Sequence, residues 1–456
     1  MPQMQVTKAF LATCYLLSAG PILLTEAAFG NSVQSQRHQK MLIGSSTVSF
    51  KESGLDQDIS GLPIRRKSSS FPNLTFFPKS KKRDITRIGN LIVPSIGVGT
   101  ISWSSESLTT LENLELQSLV NKAYLSDAAL FDTAERYGSH LKTALGLGWG
   151  ETETLLRKFL GRVPTNHNTS SDNDRLKPIV ATKFTPSPWR TTVESVVEAC
   201  EQSRERLGVE QIDLYQLHMP DVVKPFRFLG FGRPLDEVYW EGLAECYKRG
   251  LVKNVGVSNY GPTLVRRCQK ALAKHDVPLA SNQIAYSLIG RQNGAQETLD
   301  TCSKLGVKVL AYYPFAMGLL TGKYSSDSIQ SSSVNVITSL TSTKKTSLEI
   351  SDLKNYAQDL QPLLKAMETI AKRRKKSIAQ ISLNYIICKG AIPIPGSGSV
   401  AQLEDNIGAM GWRLTAAEIR LLENEADRSG LMFEGAGYKR TSEKFVGYGV
   451  EKWSLD

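Results

Sequence analysis

The chain has 456 residues, 41% hydrophobic and 22% charged, which is the composition of a globular protein that can bury a core without disulfides or metals. A net charge of +11 could indicate nucleic-acid binding, but most of the excess positive charge lies near the amino terminus. Residues 1–90 hold 12 Lys/Arg against 5 Asp/Glu, a net charge of +7, which leaves +4 for the remainder of the chain and counts against a nucleic-acid partner. The six cysteines form no CxxC pair and, with only five histidines, show no zinc-ligand spacing, so no metal site is predicted.

The first predicted element is a targeting leader. Residues Ala9 to Leu24 form a 16-residue apolar run, short for a membrane span and interrupted by a Gly-Pro pair, which favours a signal-peptide core over an anchor. The next stretch, EAAFGN, resembles the Ala-Phe cleavage motif of the bipartite plastid leaders of diatoms and related algae, and a Ser-rich basic segment follows it. Residues 1–85 are therefore predicted to be a disordered leader that directs the protein to a plastid, with secretion as the alternative and no stable membrane insertion.

From Leu91 onward, short β-rich runs alternate with amphipathic helical stretches. The candidate strands are PSIGVG, ALFDT, PIVATKF, IDLYQLH, VKNVGVS, SNQIAYS, VKVLAYY and AIPIPG. Between them, stretches such as TVESVVEACEQSRERLG repeat apolar residues at three- and four-residue steps. Eight such alternations predict an α/β protein, a single (β/α)8 TIM barrel over residues 86–430, with residues 431–456 as a C-terminal tail. No GxGxxG opens an early helix, which counts against a Rossmann fold.

Two polar segments interrupt the alternation and are predicted to be loop insertions, Gly161 to Lys177 and Ser325 to Asp352. The second follows a barrel strand, and loops in that position lie on the face where barrel enzymes keep their sites. It is therefore either a lid over the site or a decoration without function. The stretch from Gly435 has the same two alternatives, folding over the mouth or staying mobile.

Four ionisable side chains fall at or just after the ends of three successive candidate strands. Asp132 ends the second strand, within FDTAERYG, and Tyr137 lies in the loop after it. Lys183 ends the third strand and His218 ends the fourth. Strand ends converge on one mouth of a barrel, and a Lys or His that closes an apolar strand is costly to leave unpaired. The four side chains are therefore predicted to pair with one another.

This constellation suits the reduction of a carbonyl group. A carbonyl that receives a hydride needs a proton on its oxygen, and a free phenol is a reluctant proton donor at neutral pH. A nearby Lys⁺ stabilises the phenolate, while Asp132 would hold and neutralise the Lys and His218 would hydrogen-bond the substrate oxygen. Singly, each residue has an ordinary alternative: a helix cap, a core phenol, a rim charge or a core imidazole. Together they predict a catalytic tetrad.

The order Asp, Tyr five residues later, Lys and then LHxP resembles that of the aldo-keto reductases, and the resemblance extends from about Leu91 to Trp412. It implies a (β/α)8 barrel that reduces aldehydes or ketones with NADPH. The segment IGVGTISW, with Gly99 and Thr100, resembles the opening of that family. The segments GVSNYG, SNQIAYS, AYYPFAMGLLTGKY and IPIPGSGSVAQLEDN resemble its cofactor-binding segments.

The resemblance implies a role for each residue of these segments. Ser258, Asn259 and Gln283 would hydrogen-bond the nicotinamide carboxamide, and Tyr312 would stack on the ring; strand-end polar residues and a barrel-lining aromatic are the alternatives. The residues along the diphosphate would be Leu319, Gly322 and Lys323, and those at the adenosine end Asp405 and Asn406.

One departure from the family bears on the choice of cofactor. Many members clasp the 2′-phosphate of NADPH with a Lys and an Arg, where this chain has Gly396 and Gln402. Ser397, Ser399 and the backbone amides of a helix start can still bind a phosphate. Without the bidentate Arg, the preference for NADPH over NADH is expected to be weaker. NADPH is the predicted cofactor, with NADH as the alternative.

Two hypotheses of different classes follow. The first is a plastid-directed NADPH-dependent reductase of a small carbonyl compound, either a general one or a dedicated step such as pyridoxal reduction or sugar oxidation. The second is a nucleotide-binding regulatory protein with slow turnover, similar to the potassium-channel β subunits, which also keep the tetrad. Trp103 and Trp189 are candidate pocket aromatics that would favour apolar carbonyls, with plain packing as the alternative.

Overall fold

The computed structural model describes residues 83–440 except for 104–108, 139–148, 164–174, 188, 222–234, 293, 317, 324–357 and 434–437. Nearly all of the predicted leader, the predicted insertion at 325–352 and most of the one at 161–177 lie outside the described residues. So does most of the predicted tail at 431–456.

The strands of the described residues form one eight-stranded sheet and two hairpins. The strands are β1 (Ile85–Ile88), β2 (Leu91–Pro94), β3 (Val98–Gly99), β4 (Leu130–Asp132), β5 (Ile179–Phe184), β6 (Leu214–Leu217), β7 (Val255–Ser258), β8 (Leu279–Ala285), β9 (Lys308–Tyr312), β10 (Ile392–Pro393), β11 (Leu431–Phe433) and β12 (Tyr438–Arg440). Hairpins pair β1 with β2 and β11 with β12. All eight predicted strands are present, as β3 to β10.

The large sheet closes into a barrel. Neighbours in the sheet follow chain order from β3 to β10, and every pairing is parallel. The first and last strands also meet, because Gly99 bridges Gly396 in parallel and its amide donates to the Pro395 carbonyl at 2.9 Å. The predicted (β/α)8 barrel is thus confirmed, and the carboxyl ends of β3 to β10 form one mouth.

Among the described residues, one α-helix follows each of the strands β3 to β8, and two follow each of β9 and β10. They are α1 (Thr110–Leu125), α2 (Glu151–Leu160), α3 (Val193–Leu207), α4 (Asp236–Lys248), α5 (Pro262–Ala273), α6 (Ala295–Lys304), α7 (Gln361–Arg374), α8 (Ile378–Cys388), α9 (Val400–Ile407) and α10 (Ala416–Arg428). Local sequence fixes several starts: Thr109, Thr192, Ser377 and Thr415 each form a reciprocal capping box with the residue three positions on. Among the described residues, no helix has the length and apolar content that a membrane span requires.

The hairpin of β1 and β2 closes the amino-terminal end of the barrel. Ile88 and Val93 are fully buried in one cluster with Leu130, Leu214 and Leu310 from three barrel strands. The sequence analysis did not predict this hairpin, although ITRI and LIVP flank a Gly-Asn pair, which is typical of a two-residue hairpin turn.

Asp84, just before β1, ties this end of the chain to the residues after α9. Its carboxylate accepts hydrogen bonds from Ser95 Oγ at 2.8 Å, Gly411 N at 2.7 Å and both Nη atoms of Arg413 at 2.6 and 2.7 Å. Burial raises the pKa of the Asp84 carboxyl, but the hydrogen bonds from Arg413, Gly411 and Ser95 outweigh it and lower the pKa to about 2.

Asp84→Asn is expected to reduce the free energy of unfolding at neutral pH by about 1–3 kcal/mol, since it removes hydrogen bonds to an ionised group. The pKa of the folded state lies below that of the unfolded chain. The stabilisation is therefore complete above about pH 4 and is lost as the pH falls through about 2. Denaturant titrations of wild type and variant should differ near pH 7 and converge near pH 2. Asp300→Asn is the control, because Asp300 is exposed and accepts a hydrogen bond from Gln296, four residues earlier on the same helix. An equal loss in both variants would contradict the anchoring role.

Candidate active site

The carboxyl ends of β4 and β5 bring together three of the predicted catalytic side chains. Lys183 is fully buried, and its Nζ lies 2.7 Å from Asp132 Oδ2 and 3.3 Å from the Tyr137 hydroxyl oxygen. Nζ also donates to the Thr133 carbonyl at 2.8 Å. The ammonium therefore sits between a carboxylate that neutralises it and a phenol whose ionised form it stabilises.

His218 follows β6 and completes the group. Its backbone amide donates to the Phe184 carbonyl at 2.8 Å, and its ring centre lies 5.8 Å from that of Tyr137, with the rings nearly perpendicular. Burial lowers the pKa of His218 well below its usual value, and the positive charges of Lys183 and Arg136 lower it further. The imidazole is therefore neutral at physiological pH and can give a hydrogen bond without adding charge.

A short turn directs Tyr137 towards the lysine. The Tyr137 amide donates to the Ala134 carbonyl at 3.0 Å, and the Tyr137 carbonyl accepts from the Thr152 amide at 3.3 Å. The next residue, Gly138, has a φ of +152°, and a Cβ there would lie 2.9 Å from the Cβ of Glu151. A side chain at position 138 would therefore push α2 away from the turn that places the phenol.

The predicted nicotinamide residues form one hydrogen-bonded chain that joins the tetrad. Gln283 Nε2 donates to Asp132 Oδ1 at 2.8 Å, and Ser258 Oγ donates to the Gln283 carbonyl at 2.8 Å. Asn259 has a φ of +63°, a conformation that Asn tolerates better than most residues, and its Nδ2 donates to the His218 carbonyl at 3.1 Å. The Tyr312 hydroxyl donates to Asn259 Oδ1 at 2.6 Å. The structure thus places all four predicted residues beside the tetrad.

The predicted adenosine and phosphate residues lie where the barrel closes. Gly99 pairs with Gly396, and Thr100 Oγ1 donates to the Asp132 carbonyl at 3.0 Å. Ser399 caps α9 by accepting from the Gln402 amide, and the Gln402 side chain accepts from the Gly398 amide at 2.8 Å.

Side-chain hydrogen bonds hold the other three predicted residues of this segment, Ser397, Asp405 and Asn406. Asn406 Nδ2 donates to Ser397 Oγ at 3.0 Å, and Asp405 Oδ1 accepts from Gln380 Nε2 at 2.9 Å.

The segment after β9 places three more predicted residues. Leu319 is buried at the start of a 3₁₀ turn, Leu319–Thr321. Gly322 follows with a φ of +78°, and Lys323 is exposed. A Cβ on Gly322 would lie 2.6 Å from Ile378 Cδ1, so only glycine lets this turn pack closely against the start of α8.

The two tryptophans predicted to line a pocket differ in their burial. Trp103 is only 1% exposed, packs against Phe131 and Phe159, and donates from Nε1 to the Ser397 carbonyl at 2.9 Å. Its ring therefore packs in the core, which is the alternative that the sequence analysis gave for it. Trp189 is half-buried after β5, with its ring centre 6.3 Å from that of Trp149.

Sequence analysis missed two acidic groups near these residues. Glu135 lies within FDTAERYG, is buried, and makes two hydrogen bonds to Arg190 at 2.5 and 3.1 Å. Glu115, on α1, accepts a hydrogen bond from the Val400 amide at the start of α9 at 2.9 Å. Glu135 could have been predicted as a site residue from its position two residues before Tyr137. Nothing in the sequence around Glu115 indicates that it lies near the site.

Open backbone and unpaired hydroxyls suit this mouth to a dinucleotide. A Cβ on Gly396 would meet no atom within 4 Å, and one on Gly398 only Gln402 Oε1 at 3.7 Å. The buried hydroxyls of Thr133 and Ser287 have no hydrogen-bond partner among the described residues. Together with the amide and hydroxyl groups around Tyr312, these features fit a nicotinamide dinucleotide.

Comparison with known proteins gives concordant results. The profile described as the Aldo/keto reductase family matches residues 95–426. A chloroplastic pyridoxal reductase of Arabidopsis thaliana is 35% identical over 78% of this chain and 88% of its own length. The L-glyceraldehyde 3-phosphate reductase of Escherichia coli is 28% identical over 64% of this chain and 78% of its own.

Solved structures share the fold. A glycerol dehydrogenase of Gluconobacter oxydans superposes with a TM-score of 0.56 at 22% identity, over 76% of this chain and 96% of its own. A Bombyx mori aldo-keto reductase in complex with NADP superposes with a TM-score of 0.52 at 21% identity, over 75% of this chain and 92% of its own.

Proposed function

The chain belongs to the aldo/keto reductase family of oxidoreductases, and from that premise we propose that it reduces a small carbonyl compound to an alcohol with NADPH, using Tyr137 as the proton donor. The observation that carries the proposal is the position of Lys183 Nζ, 2.7 Å from Asp132 and 3.3 Å from the Tyr137 hydroxyl. A fully buried ammonium in contact with a phenol is the arrangement that makes the phenol a better acid.

Each member of the tetrad has a task in this mechanism. The hydride that reduces the carbonyl carbon is the chemistry supplied by NADPH when it is bound. Tyr137 gives its proton to the carbonyl oxygen, and Lys183 stabilises the phenolate that remains. Asp132 holds the ammonium in place and is itself held by Gln283. His218, kept neutral by its surroundings, hydrogen-bonds the substrate oxygen and orients the carbonyl.

The chain's own residues support NADPH as the cofactor. Ser258, Asn259 and Gln283 would hold the carboxamide, and Tyr312 would lie against the nicotinamide ring. Solved aldo-keto reductases of the same fold contain NADP or NADPH. NADH stays the alternative, because Gly396 and Gln402 supply no cation for a 2′-phosphate.

Glu115→Gln is expected to tighten NADPH binding about 3- to 10-fold and to leave NADH binding nearly unchanged. The Glu115 carboxylate accepts the hydrogen bond of the Val400 amide at the start of α9, next to the serines proposed to bind the 2′-phosphate. Two like charges about 4 Å apart repel by roughly 1 kcal/mol in water, and only NADPH carries the extra phosphate. Fluorescence titration with both cofactors measures the ratio of the two dissociation constants.

Glu404→Gln is the control for this prediction, because Glu404 is paired with Lys122 on the exposed side of α9. An equal change for NADPH and NADH in Glu115→Gln would show that its carboxylate does not face the 2′-phosphate.

Pyridoxal is the first substrate to test, and a plastid the first location. Two relatives are named as pyridoxal reductases, the chloroplastic one of Arabidopsis thaliana and a probable one of Schizosaccharomyces pombe that is 27% identical over 74% of this chain.

The leader with its EAAFGN motif and the chloroplastic relative both support a plastid location. A fluorescent protein carrying residues 1–85 at its amino terminus should accumulate in plastids of an alga with secondary plastids; secretion would overturn the location alone.

The function is tested by cofactor binding and turnover on the purified protein. NADPH is titrated by fluorescence, after which pyridoxal or a reactive aromatic aldehyde is added and the loss of NADPH absorbance is followed. Binding with turnover of either carbonyl supports the reductase, and a higher kcat/KM for pyridoxal supports the dedicated step. Binding without turnover of several reactive carbonyls would refute the reductase in favour of a regulatory nucleotide-binding protein. Absence of binding would refute the cofactor assignment.

A further inference from the structure

His218 is a neutral imidazole with one N–H and one bare nitrogen, and its use in the reaction depends on which nitrogen carries the hydrogen. Its Nδ1 lies 3.3 Å from Thr185 Oγ1, and both side chains are buried. A hydrogen bond at Nδ1 decides what Nε2 can offer, because a neutral imidazole that accepts at one nitrogen donates at the other.

Thr185 directly follows β5, and its backbone is held from both sides. Its amide donates to Glu135 Oε1 at 2.6 Å, and its carbonyl accepts from Arg190 Nη1 at 3.2 Å. Ser187 Oγ donates to the same carbonyl at 3.3 Å. The backbone of Thr185 is thus fixed beside His218, and its hydroxyl lies within reach of the His218 ring.

Glu135 and Arg190 are themselves an ion pair, with Glu135 buried and Arg190 mostly buried, which we call the Glu135–Arg190 clamp. Glu135 and Arg190 share two hydrogen bonds, at 2.5 and 3.1 Å. The guanidinium carbon lies 4.8 Å from the ring centre of Trp149 and 5.0 Å from that of Phe184. This forked, stacked geometry is one that Arg supplies and Lys does not.

The clamp joins the loops that carry the catalytic side chains. Glu135 lies two residues before Tyr137, Thr185 lies two residues after Lys183, and the Thr185 hydroxyl reaches His218. A buried ion pair is costly to desolvate and is weak support for stability alone, whereas fixing a unique geometry is a documented use of such groups. None of the proposed catalytic steps uses the clamp directly.

We propose that Thr185, held by the Glu135–Arg190 clamp, is a positioning residue whose hydroxyl donates a hydrogen bond to Nδ1 of His218 and keeps the imidazole in the tautomer with the hydrogen on Nε2. This inference rests on the proposed function for its consequence, since an Nε2–H can donate to a carbonyl oxygen. The opposite tautomer would bring a bare nitrogen lone pair towards that oxygen and repel it. Thr185 therefore acts through His218 and not on the substrate itself.

The inference is tested first by NMR of the protein labelled with ¹⁵N in histidine, which reports the tautomer without turnover. Comparison with His218→Asn identifies the His218 signals. The wild-type protein should show a protonated Nε2 and a bare, hydrogen-bonded Nδ1. A proton on Nδ1 in the wild type would overturn the inference, whatever the protein catalyses. The predicted tautomer in a protein without carbonyl turnover would leave the positioning intact and refute the proposed function alone.

Thr185→Val and Thr185→Ser form the matched pair of variants. Valine keeps the shape of threonine and removes the hydroxyl, and its His218 signals should shift towards a mixture of tautomers. Loss of one hydrogen bond corresponds to about a 5- to 10-fold fall in kcat/KM for the carbonyl, with the Kd of NADPH unchanged. Serine keeps the hydroxyl and should restore both readouts. Wild-type signals and kcat/KM in a folded valine variant would overturn the inference.

Arg190→Lys tests the clamp separately, since it keeps the positive charge and removes the fork. The Thr185 hydroxyl is then present but held less firmly, so the His218 signals should broaden and kcat/KM should fall less than in Thr185→Val. An Arg190→Lys protein with an unchanged His218 spectrum would overturn the part of the inference that concerns the clamp.

Discussion

Tyr137→Phe is expected to lower kcat for carbonyl reduction by about 10²- to 10⁴-fold, the usual contribution of a positioned general acid. The substitution removes the hydroxyl that lies 3.3 Å from Lys183 Nζ and leaves the ring that packs against His218. The Kd of NADPH should stay within about twofold, because the phenol is assigned to proton transfer and not to holding the cofactor. Single-turnover absorbance measurements, with NADPH pre-bound and the aldehyde in excess, separate the chemical step from product release.

Tyr385→Phe is the control, since it also removes one tyrosine hydroxyl. Tyr385 is buried on α8, and its hydroxyl donates to Glu423 at 2.8 Å, on an outer helix of the barrel. This variant should lose stability without losing turnover. A Tyr137→Phe protein that retains more than about a tenth of wild-type kcat would transfer the role of acid to another group, and His218 would then be the first to examine.

The barrel could be predicted from sequence because its strands are covered on both faces and read as continuous apolar runs. In β5, all six residues from Ile179 to Phe184 are buried, Lys183 among them. The first hairpin escaped prediction because one face of it is open to solvent. Ile85 and Ile92 are exposed while Ile88 and Val93 are buried, and ITRI continues a basic, Ser-rich leader without a break in composition.

The tetrad could be predicted because each member has a local marker, the end of an apolar strand or the loop directly after it. The contacts that hold the site have no such marker. Glu135 and Arg190 are 55 residues apart, in the loops after β4 and β5, and Glu115 and Val400 are 285 apart, on α1 and α9. Each pairing therefore depends on which elements the barrel brings together. Trp103 shows the converse case: it was a candidate pocket aromatic in the sequence, and its contacts with α2 place it in the core.

Lys183→Met is expected to reduce both stability and turnover. Removal of one partner from a buried ion pair leaves the Asp132 carboxylate without its counter-charge and typically costs about 3–5 kcal/mol. Turnover should fall by at least about 10²-fold, since Tyr137 loses the charge that stabilises its phenolate. Denaturant titration gives the free energy of unfolding, and single-turnover kinetics on the folded fraction give the rate.

The double variant Asp132→Asn/Lys183→Met separates the two effects. Asparagine retains an acceptor for the Gln283 amide and removes the unpaired charge, so the double variant should recover about 1–3 kcal/mol over Lys183→Met. Its turnover should stay as low as that of the single variant, because neither substitution restores a cation beside Tyr137. Recovery of stability without recovery of rate would show that Lys183 is required by the chemistry as well as by the core. Recovery of both would mean that the single variant was inactive only because its site was distorted, and the assignment of Lys183 as the activator of Tyr137 would then be wrong.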